Sequence, residues 1–344
     1  MKAMTNMPIK FPGLFPNWEF DPNPVAIDVG NGIYWYGIIL AVAMLAGLYL
    51  AMKQAKHYGL EEDHVMDLVL WGIPSCIIGA RIYYVLFYLD LYRSAEGALQ
   101  WKRMIAIWDG GMAIYGSIIA GAIVAFLYAR SKKISVPALM DVAVIGLLLG
   151  QSIGRWANFI NREAFGTVTT LPWRMELFIE GLGRTCVHPT FLYESLWNLV
   201  GMLLIIFVVS KGRRFDGENT CFYFIWYGMG RAWIEGLRTD SLYFFNLTLF
   251  GNPIRVSQVL SVIVALIALG IMIYMGRKGA DPERLWVNRV AAMKAAAETE
   301  AAEVEEAPTV EEIMVEETVA EEVVAEKVTA EEVVAEEVTD GEDH

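Results

Sequence analysis

Gly154-Arg155-Trp156-Ala157-Asn158-Phe159-Ile160-Asn161-Arg162-Glu163-Ala164-Phe165-Gly166 closes an apolar run that begins at Asp141-Val142-Ala143-Val144-Ile145-Gly146 and continues to Ile153. The run is hydrophobic enough to lie in a bilayer, so Arg155, Asn158, Asn161 and Glu163 are predicted where lipid meets water. An Arg within a span costs roughly 2.5–3.5 kcal/mol on insertion scales, so it needs a partner or a task. A guanidinium ringed by carboxamides is suited to gripping a phosphate while neighbouring groups bond its ester or hydroxyl oxygens.

The rest of the chain agrees with a membrane setting. Of 344 residues 56% are apolar, with 11 Trp, 15 Tyr and 16 Phe. Windows of about twenty residues predict seven spans, near 33–52, 66–90, 112–129, 134–158, 189–210, 219–236 and 254–275. The sixth is short and carries Arg231 and Glu235. The predicted fold is an all-α integral membrane protein of seven transmembrane helices, with a small extracytoplasmic loop region. Residues 1–32 read as an exposed extracytoplasmic arm, 33–276 as the transmembrane domain and 277–297 as a basic juxtamembrane segment. Lys53, Lys56, Arg130, Lys132, Lys133, Lys211, Arg213 and Arg214 crowd the short loops on one side, followed by Arg277 and Lys278. That bias predicts the N-terminus outside and the C-terminus in the cytoplasm, in a multi-pass protein of the cell membrane.

The formal net charge of −13 is a property of the tail. Residues 298–344 hold 19 acidic side chains and one Lys, which leaves +5 on residues 1–297. Val319-Ala-Glu-Glu-Val-Val-Ala-Glu-Lys-Val328 is nearly repeated over Thr329–Val338. Self-repulsion and the lack of aromatics predict a disordered or transiently helical cytoplasmic tail, a solvated spacer or a docking segment for a cytoplasmic partner. Three cysteines at 76, 186 and 221 make no disulfide framework.

On this topology the buried polar residues share one depth. Arg81, Arg155, Asn158, Arg231 and Glu235 fall in the middle or outer half of their spans, as do Tyr34, Tyr36, Tyr115, Tyr193 and Glu194. Asp141 alone breaks the pattern clearly. Such a concentration predicts one polar cavity opening toward the outer leaflet. Tyr227, Arg231, Glu235 and Arg238 form one helical stripe, and Gln151, Arg155 and Asn158 form another. Gly146, Gly150 and Gly154 run beside the second and permit a close helix neighbour. An intrahelical Arg231–Glu235 pair that merely glues the bundle is the plainer reading. His188 reads as a capping or interfacial residue before it reads as a base. No metal-ligand cluster or nucleotide-type Gly loop is present in the sequence, so no cofactor and no nucleic-acid partner are expected.

The Gly154–Gly166 stretch closely resembles the signature of the phosphatidylglycerol–prolipoprotein diacylglyceryl transferases. Tyr34-Trp35-Tyr36-Gly37, Gly79-Ala80-Arg81, Trp108-Asp109-Gly110-Gly111, His188-Pro189-Thr190 with Tyr193-Glu194, and Tyr227–Arg231 running to Glu235 and Arg238 resemble further family segments. The resemblance covers roughly residues 15–280 and leaves the acidic tail outside. It implies transfer of a diacylglyceryl group from phosphatidylglycerol to the thiol of a lipobox cysteine next to a signal peptide, giving a thioether and glycerol phosphate. On that resemblance Arg155 and Arg231 stabilise the departing phosphate. Asn158 and Gly166 fix the lipid head, Glu163 and Glu235 orient the arginines, and Tyr36, Tyr227 and Arg238 complete the substrate site. Tyr115 stands where some family members carry His. A Tyr, with a reference pKa near 10, is a poor base near neutrality, so the base for the thiol is unassigned and Tyr115 is expected to position it. A transporter for an anionic solute is the competing class, and it predicts internal repeats or broken helices that this sequence does not clearly carry.

Overall fold

The computed structural model describes residues 3–4, 7–29, 32–94, 97–239, 243–249, 252–306, 324 and 327. Short strands come first, β1 (Ile9–Phe11), β2 (Phe15–Phe20), β3 (Val25–Ile27) and β4 (Ile33–Tyr34). The helices α1 (Trp35–Ala55), α2 (Glu62–Phe87), the brief α3 (Trp101–Ile105), α4 (Ile114–Ser131) and α5 (Val136–Ile160) follow. A hairpin of β5 (Met175–Ile179) and β6 (Gly183–Val187) precedes α6 (Thr190–Leu204) and α7 (Glu218–Leu237). Strands β7 (Tyr243–Leu249) and β8 (Asn252–Arg255) lead into α8 (Val256–Arg277), and α9 (Trp286–Glu306) follows. The acidic repeat lies outside the described residues apart from Val324 and Lys327.

Among the described residues six helices are long and apolar enough to cross a membrane: Trp35–Tyr58, Glu62–Phe87, Ile114–Ser131, Val136–Ile160, Thr190–Gly212 and Ser257–Arg277. The expected sixth of seven spans, now α7, is a helix of 20 residues but does not join them. Glu218, Arg231 and Glu235, together with its glycines, lower its hydropathy below that of its neighbours. The protein is thus a mostly helical membrane protein whose polar helix is packed against apolar ones.

Small residues decide how the helices meet. A Cβ on Gly47 of α1 would lie 2.6 Å from the Gly146 carbonyl oxygen of α5, and the reverse approach is 2.5 Å. The glycine stripe read from the sequence therefore seats α1 on α5. Between α6 and α7, Trp197 and Trp226 stack at 4.3 Å and each indole Nε1 donates to the other's carbonyl oxygen across 2.9 Å. This double latch ties together the two helices that carry the acidic residues of the site.

The N-terminal residues do more than form an exposed arm. β1 pairs antiparallel with β2 and also with β5, giving a four-stranded sheet in the order β2-β1-β5-β6. β5 alternates buried and half-buried residues, with Met175, Leu177 and Ile179 inward. These side chains and Ile9 pack on Phe159, Phe165 and Phe191, at the C-terminal end of α5 and the start of α6. The sheet is thereby a cap on the signature segment. Arg162 locks it, with Nε on the Met7 carbonyl at 2.9 Å, Nη1 on Pro22 at 3.2 Å and Nη2 on Asp21 at 2.8 Å.

Candidate active site

The α5 stripe brings Arg155 and Asn158 to the end of the helix, and the chain then turns through two strained residues. Arg162 and Ala164 have φ of 52° and 53°, left-handed values that cost a non-glycine residue of order 1 kcal/mol or more. Beyond the turn, Gly166 N donates to the His188 carbonyl oxygen at 3.0 Å and Thr167 N to Leu237 at 2.7 Å. Gly166 also bridges antiparallel to Arg238. A Cβ at Gly166 would lie 2.6 Å from the Cβ of His188, so the glycine is what lets this segment thread between the start of α6 and the end of α7. Thr190 Oγ1 donates to the Ala164 carbonyl and holds the turn from the α6 side.

That threading draws three guanidinium groups onto two carboxylates. Arg155 Nη2 forms an ion pair with Glu194 Oε2. Arg231 and Arg238 each bring Nη1 to the other Glu194 oxygen, at 3.5 Å and 3.4 Å. Arg231 Nη2 also lies 2.7 Å from Glu235 Oε2, and Arg238 Nε is 4.0 Å from it. Both carboxylates are 5% exposed, while the arginines keep 14–24%. The carboxylates are therefore inner anchors and the cations the accessible face. Among the described residues three guanidinium groups meet two carboxylates, partly withdrawn from water, and such a cationic cluster is suited to holding an anion.

Several residues expected at the site stand at one remove. Glu163 does not touch Arg155; its Oε1 accepts from Asn158 Nδ2 at 2.8 Å, and Asn158 Oδ1 accepts from Arg155 Nη1 at 3.3 Å. Tyr227 stacks on Tyr223 at 5.6 Å, one turn before Arg231. Tyr36 is exposed on the first turn of α1. Tyr115 lies against Tyr83, ring centroids 6.3 Å apart, and no hydrogen bond or ion pair joins it to the arginine cluster among the described residues. Arg81 stays apart as well. Its guanidinium donates to the carbonyls of Met104, Arg103, Gly110 and Gly111 and so pins the segment between α2 and α4.

Glu194 is the residue that sequence reasoning passed over. The sequence marks it as a polar residue in a first turn and as part of a family segment, with no role attached, yet it is the hub that all three arginines share. A carboxylate inside a predicted span was the available signal. His188 adjoins the cluster through its backbone, and its ring Nδ1 lies 3.2 Å from the Tyr193 hydroxyl, which accepts from Trp173 Nε1 at 2.7 Å. Burial pushes the His188 imidazole below its ordinary pKa, so it is neutral at pH 7. Among the described residues no group of His, Cys, Asp and Glu could hold a metal ion.

The family model described as prolipoprotein diacylglyceryl transferase matches residues 24–274. The chain is 42% identical over 266 residues to the phosphatidylglycerol–prolipoprotein diacylglyceryl transferase of Streptococcus pneumoniae (strain JJA), covering 75% of this chain and 96% of the relative. The same identity and coverage hold for the proteins of that name from strain Hungary19A-6 and from serotype 2, strain D39 / NCTC 7466. The signature, both stripes and the Glu194 hub all fall inside the matched region, and the chain belongs to the prolipoprotein diacylglyceryl transferase family.

Proposed function

We propose that this protein transfers the diacylglyceryl group of phosphatidylglycerol to the lipobox cysteine of prolipoproteins. The observation that carries the reading is the convergence of Arg155, Arg231 and Arg238 on Glu194 and Glu235. In the reaction the cysteine sulfur attacks the glyceryl carbon that bears the phosphate. A carbon–sulfur bond forms, the carbon–oxygen bond breaks with its electron pair going to the phosphate oxygen, and glycerol phosphate departs. The thiol proton passes to a base. Negative charge grows on the leaving oxygen, so preorganised cations there lower the barrier most.

Arg155 and Arg231 take that role. Asn158 and Gly166 fix the lipid head, with Glu163 orienting Arg155 through Asn158 and Glu235 orienting Arg231 directly. Glu194 holds the three guanidinium groups together. Tyr36, Tyr227 and Arg238 line the substrate path, and Tyr115 positions the incoming thiol.

The polar helix α7 is the seventh membrane crossing, its charges sheltered by α5, α6 and α8. The short-loop Lys and Arg bias supports an N-terminus outside and a cytoplasmic C-terminus, with residues 33–276 as the catalytic domain and the acidic segment from 298 as a tail for a cytoplasmic partner. The test is direct. Purified protein, phosphatidylglycerol and a lipobox peptide should give a thioether-linked diacylglyceryl peptide by mass spectrometry. Anion uptake into vesicles without thioether formation would establish a transporter instead.

A further inference from the structure

The two arginine-bearing helices also meet away from the arginines, through groups that the proposed transfer leaves unused. Gln151 lies four residues before Arg155 on the same face of α5, and Tyr223 lies eight residues before Arg231 on the same face of α7. Gln151 Nε2 donates to the Tyr223 hydroxyl oxygen across 3.0 Å. Contacts between α5 and α7 follow the same order along both helices. Asp141 meets Gly217 and Thr220, Gln151 meets Tyr223, and Arg155 reaches Arg231 through Glu194. The helices therefore run in one direction, and the Gln151–Tyr223 bridge spans the space between them below the guanidinium groups. Four residues of helix set Gln151 about 6 Å from Arg155 toward the middle of the span.

The bridge retains hydrogen-bonding capacity. Gln151 Oε1 is buried without a partner, and Tyr223, itself buried, has no other hydrogen-bond partner among the described residues. With its oxygen accepting from Gln151, the Tyr223 proton is unpaired. With the carboxamide turned over, the hydroxyl donates to Oε1 and both amide protons are unpaired. Either way a buried donor is left, and a buried donor is costly until something accepts from it. A glycerophospholipid with its phosphate on Arg155 and Arg231, and its chains running toward mid-bilayer, presents only acceptors at this depth, the ester carbonyl oxygens.

We propose that the Gln151–Tyr223 bridge binds an acyl ester carbonyl of the lipid donor and so selects ester-linked diacyl lipids. The inference rests on the transfer reading above. Phosphate and ester held at two points fix the glyceryl backbone, which aligns the carbon that sulfur attacks.

The experiment compares phosphatidylglycerol carrying two ester-linked chains with its dialkyl ether counterpart of equal chain length. Purified full-length protein is assayed for thioether formation on a lipobox peptide. One neutral hydrogen bond corresponds to roughly a fivefold lower KM for the ester lipid, with kcat little changed. Tyr223→Phe and Gln151→Leu should raise KM for the ester lipid to the ether value and leave the ether lipid unaffected. Equal KM values for both lipids in the unmodified protein overturn the proposal without any variant. A parallel rise for both lipids in Tyr223→Phe also overturns it, since a bridge that only joins helices would behave so. No thioether from either lipid overturns the transfer reading itself.

Discussion

The two ends of α5 use the same residue types to opposite effect. Near its start, the fully buried Asp141 accepts from Gly217 N, Thr220 N and Thr220 Oγ1, each at 2.8 Å. One carboxylate thereby answers the unpaired N–H groups that begin α7, where the helix dipole also favours negative charge. Beside it, Asn219 donates to the Tyr58 hydroxyl at 2.5 Å, and Arg213 lies 4.2 Å above the Tyr58 ring. At the other end, three guanidinium groups share two carboxylates. In the first arrangement the carboxylate is buried and spends its bonds on the start of a neighbouring helix; in the second, among the described residues, the carboxylates are buried while the guanidinium groups keep 14–24% exposure.

This contrast can be broken most forcefully at the arginines. Arg155→Lys and Arg231→Lys keep the charge but lose the planar fork, and each should lower kcat/KM on the order of a hundredfold or more while the protein still inserts and folds. Thioether formation measured on membrane-extracted protein of matched thermal stability decides it. Near-normal turnover in both would falsify a bidentate phosphate clamp.

Glu194→Gln comes next. It removes the anchor the three arginines share, so kcat should fall by roughly tenfold to a hundredfold, with the loss concentrated in kcat rather than KM. An unchanged kcat would mean that the arginines hold their positions without the hub. At the opposite end, Asp141→Ala should leave the chemistry alone and lower stability by about 1–2 kcal/mol, the worth of a helix cap. A thermal melt in detergent checks this, and a loss of kcat in correctly folded protein would erase the distinction between the two ends.

The tail offers a finer test. Trp286 is buried, with its backbone N donating to Asp216 at 2.9 Å and its indole to the Gly59 carbonyl at 3.1 Å. Truncation after residue 297 keeps this plug and should leave stability and transfer unchanged. Truncation after Gly279 removes it and should cost about 3 kcal/mol, as for loss of a buried Trp. Equal melting temperatures for the two truncated proteins would show that Trp286 contributes nothing. The smallest effect is expected at Tyr115→Phe, about threefold in turnover, because the Tyr115 hydroxyl has no hydrogen-bond partner among the described residues. A loss as deep as that of the arginine variants would make it a direct participant in thiol activation.

Much of this protein was legible in one dimension. Apolar runs of span length reveal the helices, because a backbone in lipid must satisfy its own hydrogen bonds. The spacing of Tyr227, Arg231, Glu235 and Arg238 sets them on one face, and the glycines at 146, 150 and 154 announce a close neighbour, because helical geometry is local. Which partners those faces meet was decided only in three dimensions. Glu194 lies 39 residues from Arg155 and 37 from Arg231 in the numbering, and nothing local draws them together. The strained turn at Arg162 and Ala164, the Gly166 segment between His188 and Arg238, and the pairing of β1 with β5 do so. No periodicity encodes such contacts, since they arise from burying surfaces whose complements lie far along the chain. The sequence by itself determined the membrane, the stripes and the family signature; the tertiary structure decided that one buried carboxylate gathers the cations, because a charge in a low-dielectric interior is stable only where opposite charge is brought to it.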